Sequence, residues 1–250
     1  MRRRRARHDE ILAAIADGEA DVDALAARFG VSASTIRRDL EALSARRAIA
    51  RTYGGAILAS TAQETTLRAR TAQHRAAKAA IARAALDLIS DGDTVILDGG
   101  STVEALGRLL QGQRLRVVTS NLPLVPLLAD APGIELVVLG GALRSISMST
   151  VGPLAEEALR HITADRVFMS ADGVVPGRGL CEATLEQVSL KSLMMRQSRE
   201  AVVLADGSKL DRAGQPFWAP LAPGAVLVTE APAPAWAPFA AEGLRVVQAG

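Results

Sequence analysis

From Arg75 onward the chain repeats one pattern: a four- to six-residue apolar run, a short break, then a segment of helical periodicity. The runs lie at residues 94–97, 115–118, 134–139, 166–169 and 201–205. Strands this short and this continuously apolar are buried on both faces, and parallel neighbours need crossovers that the intervening helices can supply. Right-handed crossovers then place helices on both sides of one sheet. Residues 75–248 are therefore expected to form a doubly wound, mostly parallel α/β domain whose ligands bind outside the carboxyl ends of the strands. Only 3% of the residues are aromatic, so its core must be built from Ala, Leu, Val and Ile.

Those strand ends carry the polar residues of interest. Asp98-Gly99-Gly100-Ser101-Thr102 leaves a strand and enters a helix. Its glycines let backbone N–H groups approach an anion, and Ser101 and Thr102 add hydroxyl donors at a positive helix end. There is no G-x-G-x-x-G spacing and no Gly-Lys-Ser/Thr, so a single phosphate suits the loop better than a nucleotide. Ser120-Asn121 follows the next strand, and two more ends supply Asp172-Gly173 and Asp206-Gly207-Ser208-Lys209. Lys209 can give a phosphate a fixed charge, and Asp172 can accept from sugar hydroxyls. Lys191 reads equally as a ligand contact and as a salt-bridged lysine. The effector-binding candidates are thus Asp98, Gly100, Ser101, Thr102, Ser120, Asn121, Asp172, Lys191 and Lys209. Asp98, Asp172 and Glu182 also admit a rival reading as acid/base groups of a sugar-phosphate isomerase, although no base stands at a defined spacing. Cys181 is the single cysteine and has no histidine nearby, so it reads as a packing residue, and no metal or other cofactor is expected.

A second constraint comes from the N-terminal part. Ser32 is an N-cap candidate, and Ile36, Leu40 and Leu43 form one buried stripe on the helix that follows. Ser34 and Arg38 then point away from that stripe, with Thr35 and Arg37 on its flanks. Asp23 is the expected cap of a preceding short helix, and Gly30-Val31-Ser32 makes the turn between the two, giving a helix-turn-helix at about residues 21–40. Ile11, Leu12 and Ile15 add a third amphipathic helix. Arginine forks and short hydroxyls near a helix N-terminus suit major-groove edges and phosphates. Residues 48–51 and 56–58 flank Tyr53-Gly54-Gly55 as a two-stranded wing, where Arg51 and Tyr53 would meet the sugar-phosphate backbone. Residues 1–58 hold eleven arginines against eight acidic residues, whereas the remainder holds eighteen basic against nineteen acidic, so a polyanion would meet the N-terminal part first. Arg2–Arg5 read as an arm able to touch phosphates.

TIRRDL after a Gly-Val-Ser turn, followed by Arg51-Thr52-Tyr53-Gly54-Gly55-Ala56, resembles the N-terminal domain of the DeoR family of bacterial transcriptional repressors. Asp98-Gly-Gly-Ser-Thr, Gly140-Gly141, Asp172-Gly and Asp206-Gly-Ser-Lys209 resemble that family's C-terminal sensor domain, which is similar to ribose-5-phosphate isomerases and CoA transferases. The chain departs from the family pattern at Arg47, where a glycine is usual, and at Ser120-Asn121, where Thr-Asn directly follows the strand. The resemblance implies a winged helix-turn-helix at residues 4–59 and a sugar-phosphate-sensing domain at 75–248; residues 60–74 between them, poor in large apolar side chains and rich in Ala, Thr, Gln and Arg, read as a linker that becomes helical. It implies a regulator, not an enzyme: a repressor of a carbohydrate catabolic operon that leaves double-stranded operator DNA when a phosphorylated sugar binds. A homo-oligomer, dimer or tetramer, is expected. The absence of an apolar run near ~18 residues and of a signal-like start implies a cytoplasmic protein with no membrane contact.

Overall fold

The computed structural model describes residues 7–8, 10–11, 14, 21–45, 49–52, 55–58 and 64–250. The chain divides into two compact units, Met1–Gln63 and Glu64–Gly250.

In the first unit, α1 (Val22–Phe29) and α2 (Ala33–Ala45) precede an antiparallel pair, β1 (Ile49–Thr52) and β2 (Gly55–Leu58). The cap of α1 is Asp21, not Asp23. Its carboxylate accepts the N–H groups of Asp23 and Ala24 at 2.9 and 3.0 Å, while Asp23 sits in the first turn, where a negative charge faces the positive helix end. Gly30 closes α1 at φ 62°, a left-handed conformation that costs glycine little, and the Ser32 hydroxyl accepts the Thr35 N–H at 3.2 Å to open α2. Ile36, Leu40 and Leu43 are buried with Ile11, Val22 and Leu25, so the stripe read from the sequence is the small core of this unit. Asp39, beside Leu40, is buried too. Arg7 Nη2 reaches it at 2.6 Å and His8 Nε2 lies 3.0 Å away, which ties the N-terminal helical residues to α2. Leu12, Ile15, Arg47, Tyr53, the Arg2–Arg5 run and the side chain of Arg51 fall outside the described residues.

The second unit is built on seven parallel strands: β3 (Thr94–Leu97), β4 (Leu115–Thr119), β5 (Ile134–Val138), β8 (Ala164–Met169), β11 (Ser198–Leu204), β13 (Val226–Thr229) and β14 (Arg245–Gln248). Their order is β14-β13-β11-β8-β3-β4-β5. The chain lays β3, β4 and β5 in one direction and then returns to lay β8, β11, β13 and β14 in the other. The topological switch point, where doubly wound sheets bind ligands, therefore lies between β3 and β8. Side chains alternate between two cores. Val95, Leu97, Val117, Val202 and Leu204 enter one with α4 (Arg75–Leu86) and α5 (Ser101–Gly107). Ile96, Val118, Val167, Met169 and Val203 enter the other with α7 (Pro153–Arg160), α8 (Leu185–Arg196) and α9 (Ala233–Ala241). Each fully buried aliphatic side chain contributes about 1.5–3 kcal/mol, which is why continuous apolar runs were the visible signal.

Three features depart from, or add to, the sequence expectation. Residues 64–74, expected in a linker, belong to the second unit. Leu67, the one large apolar side chain between residues 59 and 74, opens helix α3 (Leu67–Ala72) and is buried; its N–H donates to Ile146 O at 2.8 Å, and Glu64 pairs with Arg144. A single buried anchor is invisible in a composition average. The chain also forms a hairpin of β6 (Ala142–Arg144) and β7 (Ser149–Val151), and a three-stranded sheet in which β10 (Gly179–Glu182) pairs with β9 (Gly173–Val175) and β12 (Phe217–Ala219). A last short helix, α6 (Val125–Leu128), leads into β5.

Candidate functional site

A cleft opens at the carboxyl ends of β3, β4 and β8, at the switch point, with about 410 Å³ of empty space including its solvent-open part. Asp98 and Gly99 line it from the end of β3, Ser120 from β4, and Ser170 and Ala171 from β8. The β6–β7 hairpin contributes Ser147, Ser149 and Thr150, helix α8 contributes Gln187 and Lys191, and α3 contributes Arg70. Five hydroxyl groups in one small cleft suit a polyhydroxylated ligand, since each hydroxyl can both donate and accept.

The floor is ionic. Lys191 Nζ donates to Asp98 Oδ2, to Ser170 O at 2.5 Å and to Glu182 Oε1 at 3.1 Å, and all three side chains are almost wholly buried. Burial pulls the Lys191 ammonium down, but Asp98 and Glu182 outweigh it and hold the group charged, above the usual lysine range. Glu182 is pushed up to about 7, first by burial, with Lys191 opposing and Asp172 and Asp98 adding to the rise. One lysine fully balances one carboxylate, so the second carboxylate takes the cost of desolvation.

Of the other residues singled out from sequence, Asn121 is fully buried and braces the loop after β3. Its side-chain N–H groups donate to Asp98 O and Gly100 O, both at 3.2 Å, and its own N–H is accepted by Thr119 Oγ1 at 3.0 Å. Gly100 has φ 140°, and an added Cβ would stand 2.2 Å from Ser170 Oγ, so the loop needs glycine there to let β8's end approach. Ser101 lines a separate hollow with Lys78 and Glu104, and Thr102 is buried in the first turn of α5. Asp172 lies behind the cleft, where Arg70 Nη1 meets it at 3.3 Å and Lys209 Nζ donates to its backbone oxygen at 3.3 Å. Burial pushes the Lys209 ammonium down, against the pull of Asp172. The structure thus brings Asp98, Ser120 and Lys191 to one wall, whereas Ser101, Thr102, Asn121, Asp172 and Lys209 stand around it. Cys181 is buried in β10, its thiol pushed up by burial and donating to Arg212 O at 3.4 Å.

The first unit presents a different face. Ser32, Ser34, Arg37 and Arg38 are exposed and Thr35 is half-buried, opposite the Ile36/Leu40 core stripe. The Ser32 hydroxyl lies 2.8 Å from both the Ser34 and Thr35 hydroxyls, forming one polar cluster at the start of α2.

Comparison with known proteins assigns these two parts. A family model described as the DeoR C terminal sensor domain matches residues 73–231, and one described as a DeoR-like helix-turn-helix domain matches residues 7–62. The chain belongs to the DeoR family. The HTH-type transcriptional repressor CsqR of Escherichia coli is 35% identical over 205 residues, 81% of this chain and 78% of that protein. The lactose phosphotransferase system repressor of Lactococcus lactis is 32% identical over 201 residues, 78% of each. Among solved structures, ribose 5-phosphate isomerase A from Methanocaldococcus jannaschii shares 22% identity with a TM-score of 0.39 over 53% of this chain and 52% of that one, a partial likeness of fold. As a DeoR-family protein the chain is a transcriptional regulator and not an enzyme. No helix among the described residues is long and apolar enough to cross a membrane.

In this DeoR sensor domain the raised Glu182 carboxyl has a measurable consequence. A carboxyl whose folded-state value exceeds its unfolded one contributes stability that is full below the unfolded value, near 4.5, and is lost as pH rises through about 7. Glu182→Gln is therefore expected to match the wild type in urea unfolding at pH 4.5 and to exceed it by up to about 3 kcal/mol at pH 8. A gap that does not change with pH would locate the effect in packing. Arg70 and the Glu182–Lys191 pair were not read from sequence as parts of one site. Arg70 lies in a segment whose composition reads as a linker turning helical, and nothing in the nine-residue spacing of Glu182 and Lys191 announces that β10 and α8 bring them together.

Proposed function

We propose that this regulator represses a carbohydrate catabolic operon and is released from operator DNA by a phosphorylated sugar or related metabolite. The observation that carries the reading is the hydroxyl-lined, ion-floored cleft at the sheet's switch point, coupled in one chain to a helix whose exposed face bears Ser34, Arg37 and Arg38. On this reading α2 lies in the major groove, with Ser32, Ser34 and Thr35 near its N-terminus and Arg37 and Arg38 as forks toward guanine or phosphate. Arg51 and Tyr53 belong to the wing that meets the backbone. Asp98, Ser120 and Lys191 face the sugar, Gly100, Ser101, Thr102 and Asn121 shape the loop behind it, and Asp172 and Lys209 set its charge. The names of relatives such as the lactose phosphotransferase system repressor favour a sugar-linked signal. Like other helix-turn-helix regulators the protein is expected to act as a dimer or tetramer on half-sites about one helical turn apart.

Ligand need only favour a spacing of the DNA-binding units that the operator rejects. A difference of about 1–3 kcal/mol changes affinity 5- to 150-fold. Titrating operator DNA with the protein, with and without hexose, pentose and ketose phosphates at constant ionic strength, checks this. A fall within that range for one ester and not its free sugar is expected, and unchanged affinity across the panel would defeat the reading.

A further inference from the structure

Among the described residues two cations line the cleft, and they are not equivalent. Lys191 is matched by Asp98 and Glu182. The Arg70 side chain has, among the described residues, a single long contact, Nη1 to Asp172 Oδ1 at 3.3 Å. Its Nε and Nη2 atoms are buried with no hydrogen-bond partner among those residues, and so is Asp172 Oδ2. A guanidinium edge of two adjacent unsatisfied N–H donors is the geometry that a phosphoryl or carboxylate group fills with two parallel hydrogen bonds. The hydroxyls of Ser147 and Ser149, 2.8 Å apart on the β6–β7 hairpin, line the same cleft.

Arg70 is also the point where the cleft meets the beginning of its unit. Helix α3 is fixed at its far end by Lys78, whose ammonium donates to Arg70 O and, at 2.9 Å, to Gln73 O. At its near end it is clipped to the hairpin through Leu67 N–H to Ile146 O and through Glu64 to Arg144. Residues 64–72 therefore form a strap. The hairpin that holds its near end lines the cleft, and its first residue directly follows the DNA-binding unit in the chain.

We propose that Arg70 is the residue that recognises the effector's anionic group, exchanging Asp172 for the ligand, and that the strap Glu64–Ala72 carries this exchange toward the DNA-binding unit. The proposal rests on the reading of the cleft as a phosphorylated-sugar site and adds to it which end of the ligand goes where. The anion sits at Arg70 beside the hairpin, and the polyol sits over the Asp98–Lys191–Glu182 floor. The loop entering α5 frames the site without carrying the charge. Because Asp172 competes with an anion for the guanidinium, removing its charge frees Arg70.

The test uses the full-length protein and inorganic phosphate as the probe, with chloride at matched ionic strength as the control, because protein–DNA affinity falls with salt regardless of the site. Phosphate binding is followed by calorimetry in the wild type and in Arg70→Ala, Arg70→Lys and Asp172→Asn, each first checked for a cooperative melt. Arg70→Ala is expected to weaken phosphate at least tenfold, Arg70→Lys to restore part of the loss, and Asp172→Asn to tighten it several-fold. In operator binding, the ratio of affinities with and without phosphate should collapse toward one in Arg70→Ala. Equal phosphate affinity in wild type and Arg70→Ala, with a sugar phosphate still bound, would overturn the role of Arg70 and leave the cleft reading standing. Absence of binding by wild type and Asp172→Asn, for phosphate and for every sugar ester, would overturn both. Loss of binding in Arg70→Ala while its operator affinity still responds to a sugar phosphate would refute the strap.

Discussion

Lys191→Met is expected to destabilise the sensor unit by about 3–5 kcal/mol at pH 8, the usual cost of removing one partner from a buried ion cluster. Lys191 is the only one of the three charged side chains on the cleft floor that is cationic. Without it, Asp98 and Glu182 face each other in a space from which water is largely excluded, and Ser170 O loses its 2.5 Å donor. For a unit of this size the loss lowers the melting temperature by about 10 °C. Its pH dependence identifies the cause. Lys191 opposes the rise of the Glu182 carboxyl, so without it that carboxyl is raised further; its contribution is full at low pH and disappears as pH rises, and the deficit relative to wild type should shrink toward pH 5 and grow above pH 7. Lys191→Met/Glu182→Gln should recover part of the stability at pH 8, because one buried carboxylate has been made neutral. An equal deficit at pH 5 and pH 8 would show that the lysine stem, and not its charge, was holding α8 against the sheet.

The same cluster marks how far the sequence could be read. The sheet was legible because every central strand is apolar on both faces, and a run such as Thr94–Leu97 has no other stable place to go than between two helical layers. The α2 stripe was legible for a similar reason: Ile36, Leu40 and Leu43 recur at helical spacing, so burying them leaves Ser34, Arg37 and Arg38 outside. What could not be read were meetings between residues far apart in sequence. Lys191 could be a ligand contact or a salt-bridged lysine until the fold set Asp98 beside it from ninety-three positions away: it is salt-bridged, and its side chain lines the cleft. Asn121 was attractive as a ligand residue by chain position, yet the carbonyls of Asp98 and Gly100 take its donors. Arg70 was hidden by its surroundings, because a stretch of Ala, Thr, Gln and Arg that turns helical carries no sign of which of its side chains meets a cleft built by distant strands. The short hairpin β6–β7 was missed because three-residue strands carry too little alternation to register.

The double variant Arg37→Ala/Arg38→Ala is expected to reduce operator affinity at least about 30-fold at moderate salt, since each arginine that forks onto a base edge or phosphate is worth about 1–3 kcal/mol. The fold should tolerate it, because both side chains are exposed while the core of the unit is carried by Ile36, Leu40 and Leu43. Melting should shift by no more than about 0.5 kcal/mol. Two further measurements separate the roles of the two residues. If an arginine contacts phosphate, its removal weakens all sequences alike and lowers the dependence of log affinity on log salt by about one unit. If it reads guanine, the single lysine substitution keeps the charge but not the fork, so operator affinity falls while non-specific affinity holds. Arg37 flanks the outward face and Arg38 stands opposite the buried stripe, so with α2 seated in a groove Arg38 is the one expected to reach base edges and Arg37 the adjacent backbone. Operator affinity within threefold of wild type in the double variant, with a normal melt, would remove α2 as the reading helix and shift the search for DNA contacts to the wing.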